Sequence, residues 1–539
     1  MSKSVFLIVA VFIQWFLAHP AMAESVKFDI SEFSVEGNTL LLLSDEEIQK
    51  ILAPFTGKGR DMTDVNKAAE ALRALYHDAG YSVVQVIPPV QTITKGKVVL
   101  KVVEDKIISI DVKGNVAYDA DNIRASLPPL EKGKSINAKE LEAAIALANE
   151  NSAKQVAVNI QPGAQLGDIN ARIDVTEDRI SKFIATYDNT GSSATGFNKV
   201  GLTYQNANLF NQDHALTLQY NGSADYLDKV YSFSLGYHIP FYEQGLSVDL
   251  IAAYSSSSGQ NVNLYFSGKG TVFGARLNYA LASMGDIRHK LIFGADYKDS
   301  KSIASLLVTP ITEMPVSLTY YAQVARPEFQ GNGSIAFVTN ISGGPHGNTN
   351  DYYNQTTGLG ARIPASGGGS TIFPSTNWQV LRINGSGGFA LPEDWQARVA
   401  VNSQFTRDLL LPSEQFGAGG ATASVRGYPE RIISGDEGYT ANFELYTPDL
   451  NKFMDMPDSS LRALVFWDIG SVSLNDNPLP NGMNRRTNID GLGLGCRWTF
   501  MKDFNLKLDV GWAHKQVGSA PLTVYRGDAF GNIALSATF

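Results

Sequence analysis

From about residue 180 onward the chain alternates with a period of two residues and sustains no helical period. Phe504, Leu506, Leu508, Val510 and Trp512 are separated by Asn505, Lys507, Asp509 and Gly511, so a strand there has one apolar and one polar face. Trp395, Ala397, Val399 and Val401 alternate likewise with Gln396, Arg398, Ala400 and Asn402, and so do the residues around Leu216 to Tyr220 and Ile533 to Phe539. A soluble sandwich also alternates, so the period alone does not say what the apolar face meets. Three features point to lipid. The segments run about ten residues, the length of a tilted strand that crosses a bilayer. Aromatic residues gather near their ends, as at membrane interfaces. Arg398, Lys507 and Asp509 stand on the polar face, which suits a wet lumen. Closure into a barrel also removes the unpaired edges such strands would present to lipid.

Sixteen candidate strands begin near residues 183, 198, 214, 230, 247, 265, 288, 316, 332, 378, 394, 439, 461, 491, 504 and 532. The expected fold class is therefore a transmembrane β-barrel, with residues 179–539 forming an even-stranded bacterial barrel. If the first strand runs outward, the two longest connections, 343–377 and 407–438, are both external.

The N-terminus supplies the export route. After Lys3, an apolar run from Val5 to Ala18 leads to Ala21-Met22-Ala23, the layout of a secretory signal peptide (1–23) cut after Ala23. Gln14 interrupts the run, which is shorter than the roughly 20 residues a bilayer helix needs.

Residues 24–104 and 105–178 carry one pattern twice. In the first copy a strand, Phe28 to Val35, and the turn Gly37-Asn38 precede Ser44-Asp45-Glu46-Glu47, a capping box that opens a short helix. A second helix bears Val65, Ala68, Ala69, Leu72 and Tyr76 on one face and stops at Gly80; strands Tyr81 to Ile87 and Lys97 to Val103 follow. The second copy has the strand Ile108 to Lys113, the turn Gly114-Asn115, helices at Asn122 to Leu127 and from Asn137, and strands Gln155 to Ile160 and Ile169 to Val175. The spacing of the two turn glycines (114 − 37 = 77) is too long for a solenoid repeat and right for a small α+β domain.

Composition excludes several classes. Cys496 is the single cysteine of 539 residues, so no intramolecular disulfide and no multi-cysteine metal cluster can form. A net charge of −9 with no Lys/Arg block gives no footprint for nucleic acid. No Walker loop, G-x-S-x-G elbow or H-E-x-x-H is present, and the seven His are scattered, so neither an enzyme nor a metal or other cofactor is expected. Gly491-Leu492-Gly493-Leu494-Gly495 sits in a strand pattern and reads as a lumen-facing strip of small residues, with Cys496 on the outward face.

The connection 407–438 holds Val425-Arg426-Gly427-Tyr428, and the strand after it holds Phe466-Trp467-Asp468-Ile469-Gly470. With the segment Asp188-Asn189-Thr190-Gly191 and the terminal Phe539, a C-terminal barrel signal, these motifs resemble the TpsB family (ShlB/FhaC/HecB type). Its members are outer-membrane transporters of two-partner secretion, built from polypeptide-transport-associated (POTRA) domains and a barrel. The resemblance implies that the loop folds into the lumen and that Arg426 pairs with Asp468. Alternation independently turns Phe466, Asp468 and Gly470 inward, where a carboxylate needs a partner and a guanidinium can offer two parallel hydrogen bonds. Many family members begin with a plug helix; here about four residues separate Ala23 from the first strand, which leaves closure to the arginine loop and the 343–377 loop.

The implied function is export of an unfolded exoprotein, a TpsA-like passenger of haemolysin or adhesin type, recognised in the periplasm and passed through the barrel. Capture as an added strand is expected at Tyr81, Val83, Gln85 and Ile87 or at Gln155 and Ala157. The other expected partners are outer-membrane lipid, periplasmic chaperones and the general barrel-assembly machinery. The alternative within the same superfamily is a factor that inserts outer-membrane proteins; a passive porin would have no use for the modules.

Overall fold

The computed structural model describes residues 26–40, 42, 44–191, 195–257, 268–304, 307–341, 377–411, 413–421, 424–453, 458–475, 484–519 and 522–539. The expected signal peptide with Ala23, and all but the last residue of the 343–377 loop, lie outside them. The chain packs as two compact units. One holds the residues up to Asp111 with Leu130–Ala138 and Ile160–Arg172; the other holds Val112–Pro129, Lys139–Asn159 and Ile173–Phe539.

In the first unit, Lys97–Val103 is the central strand, parallel to Glu32–Glu36 and antiparallel to Gln85–Ile87. The capping box forms as expected: the Ser44 hydroxyl accepts from the Glu47 N–H at 3.4 Å, and the Glu47 carboxylate accepts the Ser44 N–H at 2.9 Å, which starts the helix Asp45–Leu52. Asp61 caps the second helix, Met62–Asp78. Its apolar face buries Val65, Ala68, Leu72 and Tyr76 against Phe33, Val98 and Leu100.

Two expected strands differ. Phe28 to Val35 is broken at Ser31 into Phe28–Ile30 and Glu32–Glu36, with the Ser31 N–H donated to Gly96 O at 2.7 Å. Of Tyr81 to Ile87, only Gln85–Ile87 is strand. Tyr81 donates its N–H to Tyr76 O at 2.8 Å, so the residues after Gly80, where φ is +102°, are spent on ending the helix. Tyr81 and Val83 therefore lie in turns.

The second copy keeps the order. Strands Lys106–Lys113, Lys154–Pro162 and Asp168–Glu177 form a sheet with Asp168–Glu177 in the middle, and the helices are Ala120–Ala125 and Ala138–Ala148. The two turn glycines occupy the same conformation, φ +81° at Gly37 and +85° at Gly114. A Cβ at either would strike a backbone carbonyl, that of Val102 or of Val175. This shared constraint is the clearest mark of the duplication.

Barrel strands, numbered 1 to 16, are Ser181–Asp188, Lys199–Leu209, His214–Ser223, Val230–Phe241, Leu246–Ser257, Gly268–Ala280, Ile287–Ala304, then Leu307–Glu313 continued by Pro315–Ala325. They go on through Phe329–Asn340, Gln379–Ala390, Gln396–Phe405, Glu437–Tyr446, Ser460–Ser473, Arg486–Phe500, Phe504–Ala513 and Ala529–Thr538. All pair antiparallel and the barrel closes on itself. Strand 8 is one strand interrupted once: Glu313 faces Lys298 and Val316 faces Ala295 in a single register. Pro315 has no N–H for the ladder, and Met314 gives its own to Asn340 Oδ1 at 2.8 Å.

The expected alternation holds in strands 12 to 15. Val465, Trp467, Leu492, Leu494, Val510 and Trp512 point outward to the lipid side, and Phe466, Asp468 and Ile489 are buried inside. Phe443 stacks on Trp467 across strands 12 and 13 on the outer face. At the seam, strand 16 pairs with strand 1 from Ala534 opposite Asp188 to Thr538 opposite Ile184. Phe539 and Phe183 exchange backbone hydrogen bonds of 2.8 and 3.1 Å, and Asn189 ties the other end to Gly531 and Ile533.

A Gly37→Ala chain should lose about 1–2 kcal/mol in the first module, because the left-handed backbone is costly for alanine. Limited trypsin digestion of the full chain in detergent should then release residues before 105 faster while the barrel stays protected. Equal digestion of both chains would remove the constraint.

Candidate functional site

The connection between strands 11 and 12 turns back against the inner wall. It forms a small hairpin, Phe416–Ala418 with Ile433–Gly435, and is pinned at its base. Asp436 accepts the backbone N–H groups of Leu410 at 2.9 Å and Asn475 at 2.8 Å. Glu414 is held by Lys298 at 2.6 Å and Arg382 at 3.0 Å. The hairpin and tip bury Ala418, Val425, Tyr428 and Ile433 against Val472, Ile489 and Ala513 of the wall.

Glycines make this approach possible. A Cβ on Gly470 would sit 2.8 Å from the Val425 side chain, and one on Gly511 would sit 2.6 Å from the Gly427 nitrogen. Gly427 has φ +93° and lies against the Gly511-Trp512 backbone. The glycine strip predicted on strand 14 thus serves as the seat of the loop: Gly491 meets the Arg426 carbonyl and Gly493 the Phe466 ring.

Arg426 is 5% exposed and Asp468 0%. Nε and Nη2 donate to the two oxygens of Asp468 at 2.7 and 2.9 Å, and the Arg426 backbone N–H adds a third bond to the same carboxylate at 3.1 Å. Nη1 donates to Glu444 at 2.7 Å and lies 3.6 Å from Asp509. The guanidinium carbon stands 3.5 Å from the centre of the Phe466 ring. Asp509 is itself held by both Arg497 nitrogens, at 2.9 and 3.0 Å, and Glu444 also accepts from Tyr446 Oη at 2.7 Å. Three carboxylates therefore surround two guanidiniums, each partly desolvated. Such a group holds one geometry, and removing one member leaves a charge buried without its partner.

Tyr428 completes the motif. Its hydroxyl donates to the Asp490 carbonyl at 3.0 Å and accepts the Lys515 N–H at 3.0 Å. Beside the cluster lies a cavity of about 400 Å³, lined among others by Arg398, Arg426, Glu444, Arg497 and Lys507. The arrangement is a polar wall and a clamped loop.

The structure brings together Val425, Arg426, Gly427, Tyr428, Phe466, Asp468 and Gly470. It places Gln85 and Ile87 on one sheet edge, and Gln155 and Ala157 exposed on the edge strand Lys154–Pro162. Glu444 joins the cluster without having been expected there, although strand 12 signals it: Phe443 and Leu445 face outward and Asn442 and Glu444 inward. Among the described residues, no group of three His, Cys, Asp or Glu is placed to hold a metal.

A family model described as haemolysin secretion/activation protein ShlB/FhaC/HecB matches residues 167–498, and a ShlB-type POTRA domain model matches residues 28–105. The chain is 20% identical over 518 residues to the heme/hemopexin transporter protein HuxB of Haemophilus influenzae, covering 90% of this chain and 84% of that one. Its fold is similar to that of CdiB from Escherichia coli, with a TM-score of 0.74 at 17% identity over 96% of this chain and 92% of the other. CdiB from Acinetobacter baumannii gives 0.67 at 15% identity, over 96% and 91%.

Asp468→Ala should leave the guanidinium without its bidentate partner, at a cost of about 3–5 kcal/mol for breaking a buried pair. Hydrogen exchange on the folded chain should then show residues 413–436 losing amide protection while strands 12 to 15 keep theirs. Unchanged protection of that loop would contradict the clamp.

Proposed function

Because the chain belongs to the ShlB/FhaC/HecB family of haemolysin secretion/activation proteins, we propose that its modules capture an unfolded exoprotein and that Arg426 holds the barrel shut until the passenger arrives. The protein is an outer-membrane transporter of two-partner secretion with its POTRA domains in the periplasm. The observation that carries the closing role is the three-bond grip of Asp468 on the Arg426 guanidinium and backbone.

The passenger is delivered after the leader, residues 1–23, has been cut following Ala23 and the barrel assembled with periplasmic chaperones and the general insertion machinery. POTRA domains at 24–104 and 105–178 then offer sheet edges to an extended segment that adds as a strand, at Gln85–Ile87 and at Lys154–Pro162 beyond Val156, whose backbone N–H and C=O are held by the Asn149 amide. Main-chain hydrogen bonds supply affinity without demanding one sequence, which suits a repetitive unfolded chain. The lumen beyond is lined in part by the charged side chains of Arg398, Arg497 and Lys507. Folding outside supplies the direction.

Deleting the gene should strand one large exoprotein in the periplasm while other outer-membrane proteins keep their levels; their general loss would favour an insertion factor. Arg426→Ala should assemble in the membrane, read by heat-dependent gel mobility, yet lower secretion of that exoprotein at least tenfold. Normal export by this variant would sink the assigned role.

A further inference from the structure

Lys154 is the first residue of the edge strand Lys154–Pro162, and its side chain is 0% exposed. Its ammonium pairs with Asp213, 1% exposed, in the turn between barrel strands 2 and 3, and donates to Asn122 Oδ1 at 3.1 Å. The rings of Tyr118 and Tyr242 stand 5.1 and 5.9 Å from it. Tyr242, from the turn between strands 4 and 5, donates its hydroxyl to Asp213 at 2.6 Å. Around this pair, Asn151 donates to Ala207 O at 2.8 Å and Asn122 to Asn211 O at 3.0 Å. Close by, Glu150 accepts from Lys290 at 2.7 Å and from Ser247 at 3.2 Å.

Burial is a poor place for this charge. Desolvation pulls the Lys154 ammonium below the usual lysine range, against the pull of Asp213. Among the described residues the second Asp213 oxygen is buried without a hydrogen-bond partner, and Phe210, Asn211 and Asp213 all take left-handed backbone with φ between +56° and +60°. An apolar pair of the same volume would often hold at least as well. What the ion pair adds is direction: it fits in one geometry only.

That geometry bears on the strand itself. Lys154 and Val156 point inward, so Gln155 and Ala157 are left exposed. A segment added to this edge takes its register from the strand, and the strand is fixed at its first residue to the barrel.

We propose that Lys154 is a positioning residue. Its ion pair with Asp213 holds the strand Lys154–Pro162 at one place on the turn between barrel strands 2 and 3, so that a captured passenger segment is handed to the lumen in a single register. The proposal rests on the capture reading above.

The test uses the full-length chain, a photo-crosslinking amino acid at Ala157, and as probe the exoprotein found stranded on gene deletion. Lys154→Met with Asp213→Asn removes both charges at nearly constant volume. This double variant should assemble and bind the probe within twofold of the native chain. Its cross-links should spread from one passenger site to several, and secretion should fall at least tenfold. A single native cross-link site with native secretion would overturn the positioning role. A native chain that secretes without cross-linking from residue 157 would overturn capture at Lys154–Pro162 and this proposal with it, whereas cross-linking with unchanged variant export overturns only the positioning role. Should the double variant fail to assemble, Tyr242→Phe, which removes one hydroxyl from Asp213, should spread the cross-links and lower secretion about threefold, and native behaviour there would count against the proposal.

Discussion

A strand inside a bilayer has no water to satisfy its amides, so each must find another strand, and the last must find the first. The layout of the barrel follows from that closure. The seam shows it most plainly: strand 16 meets strand 1 through five residue pairs, and the terminal Phe539 completes the ladder with Phe183. Closure divides the residues of each strand into an outer set that meets lipid and an inner set that meets the lumen. The inner set can then carry charge at bilayer depth.

Those charges need partners, and the arginine loop supplies one. Asp468, fully buried on strand 13, is matched by a guanidinium from a connection 42 residues earlier in the chain. The match is possible because Gly427, Gly470, Gly491 and Gly511 leave no side chain between loop and wall. A buried ion cluster adds little net stability over an apolar packing, but it tolerates few alternatives. The proposed closing role is compatible with such an interaction, since its partners are polar groups that water can also satisfy.

The same logic recurs at the other polar junction. Lys154 and Asp213 join the second module's edge strand to a barrel turn through charge and two tyrosines. Glu414, between Lys298 and Arg382, pins the base of the arginine loop in the same manner. Each contact trades apolar stability for a defined geometry.

Local signals are legible in the amino-acid order alone. The Ser44-to-Glu47 capping box, the repeated Gly-Asn turns and the two-residue alternation are all set by neighbours within a few residues, and each appears where the pattern places it. The family motif adds the Arg426–Asp468 pair. Local signals mislead where they compete: Tyr81 reads as strand but ends a helix. Glu444, Glu414 and Lys154 do not stand out as sites, because nothing local distinguishes a lumen acid from a clamped one, or a surface lysine from a buried one. Periods and turns, and with them the fold class, are thus carried by short stretches of chain. Which charges meet is settled only in three dimensions, because partners 18, 42 or 59 residues apart are chosen by strand register and barrel closure, and these are properties of the whole sheet.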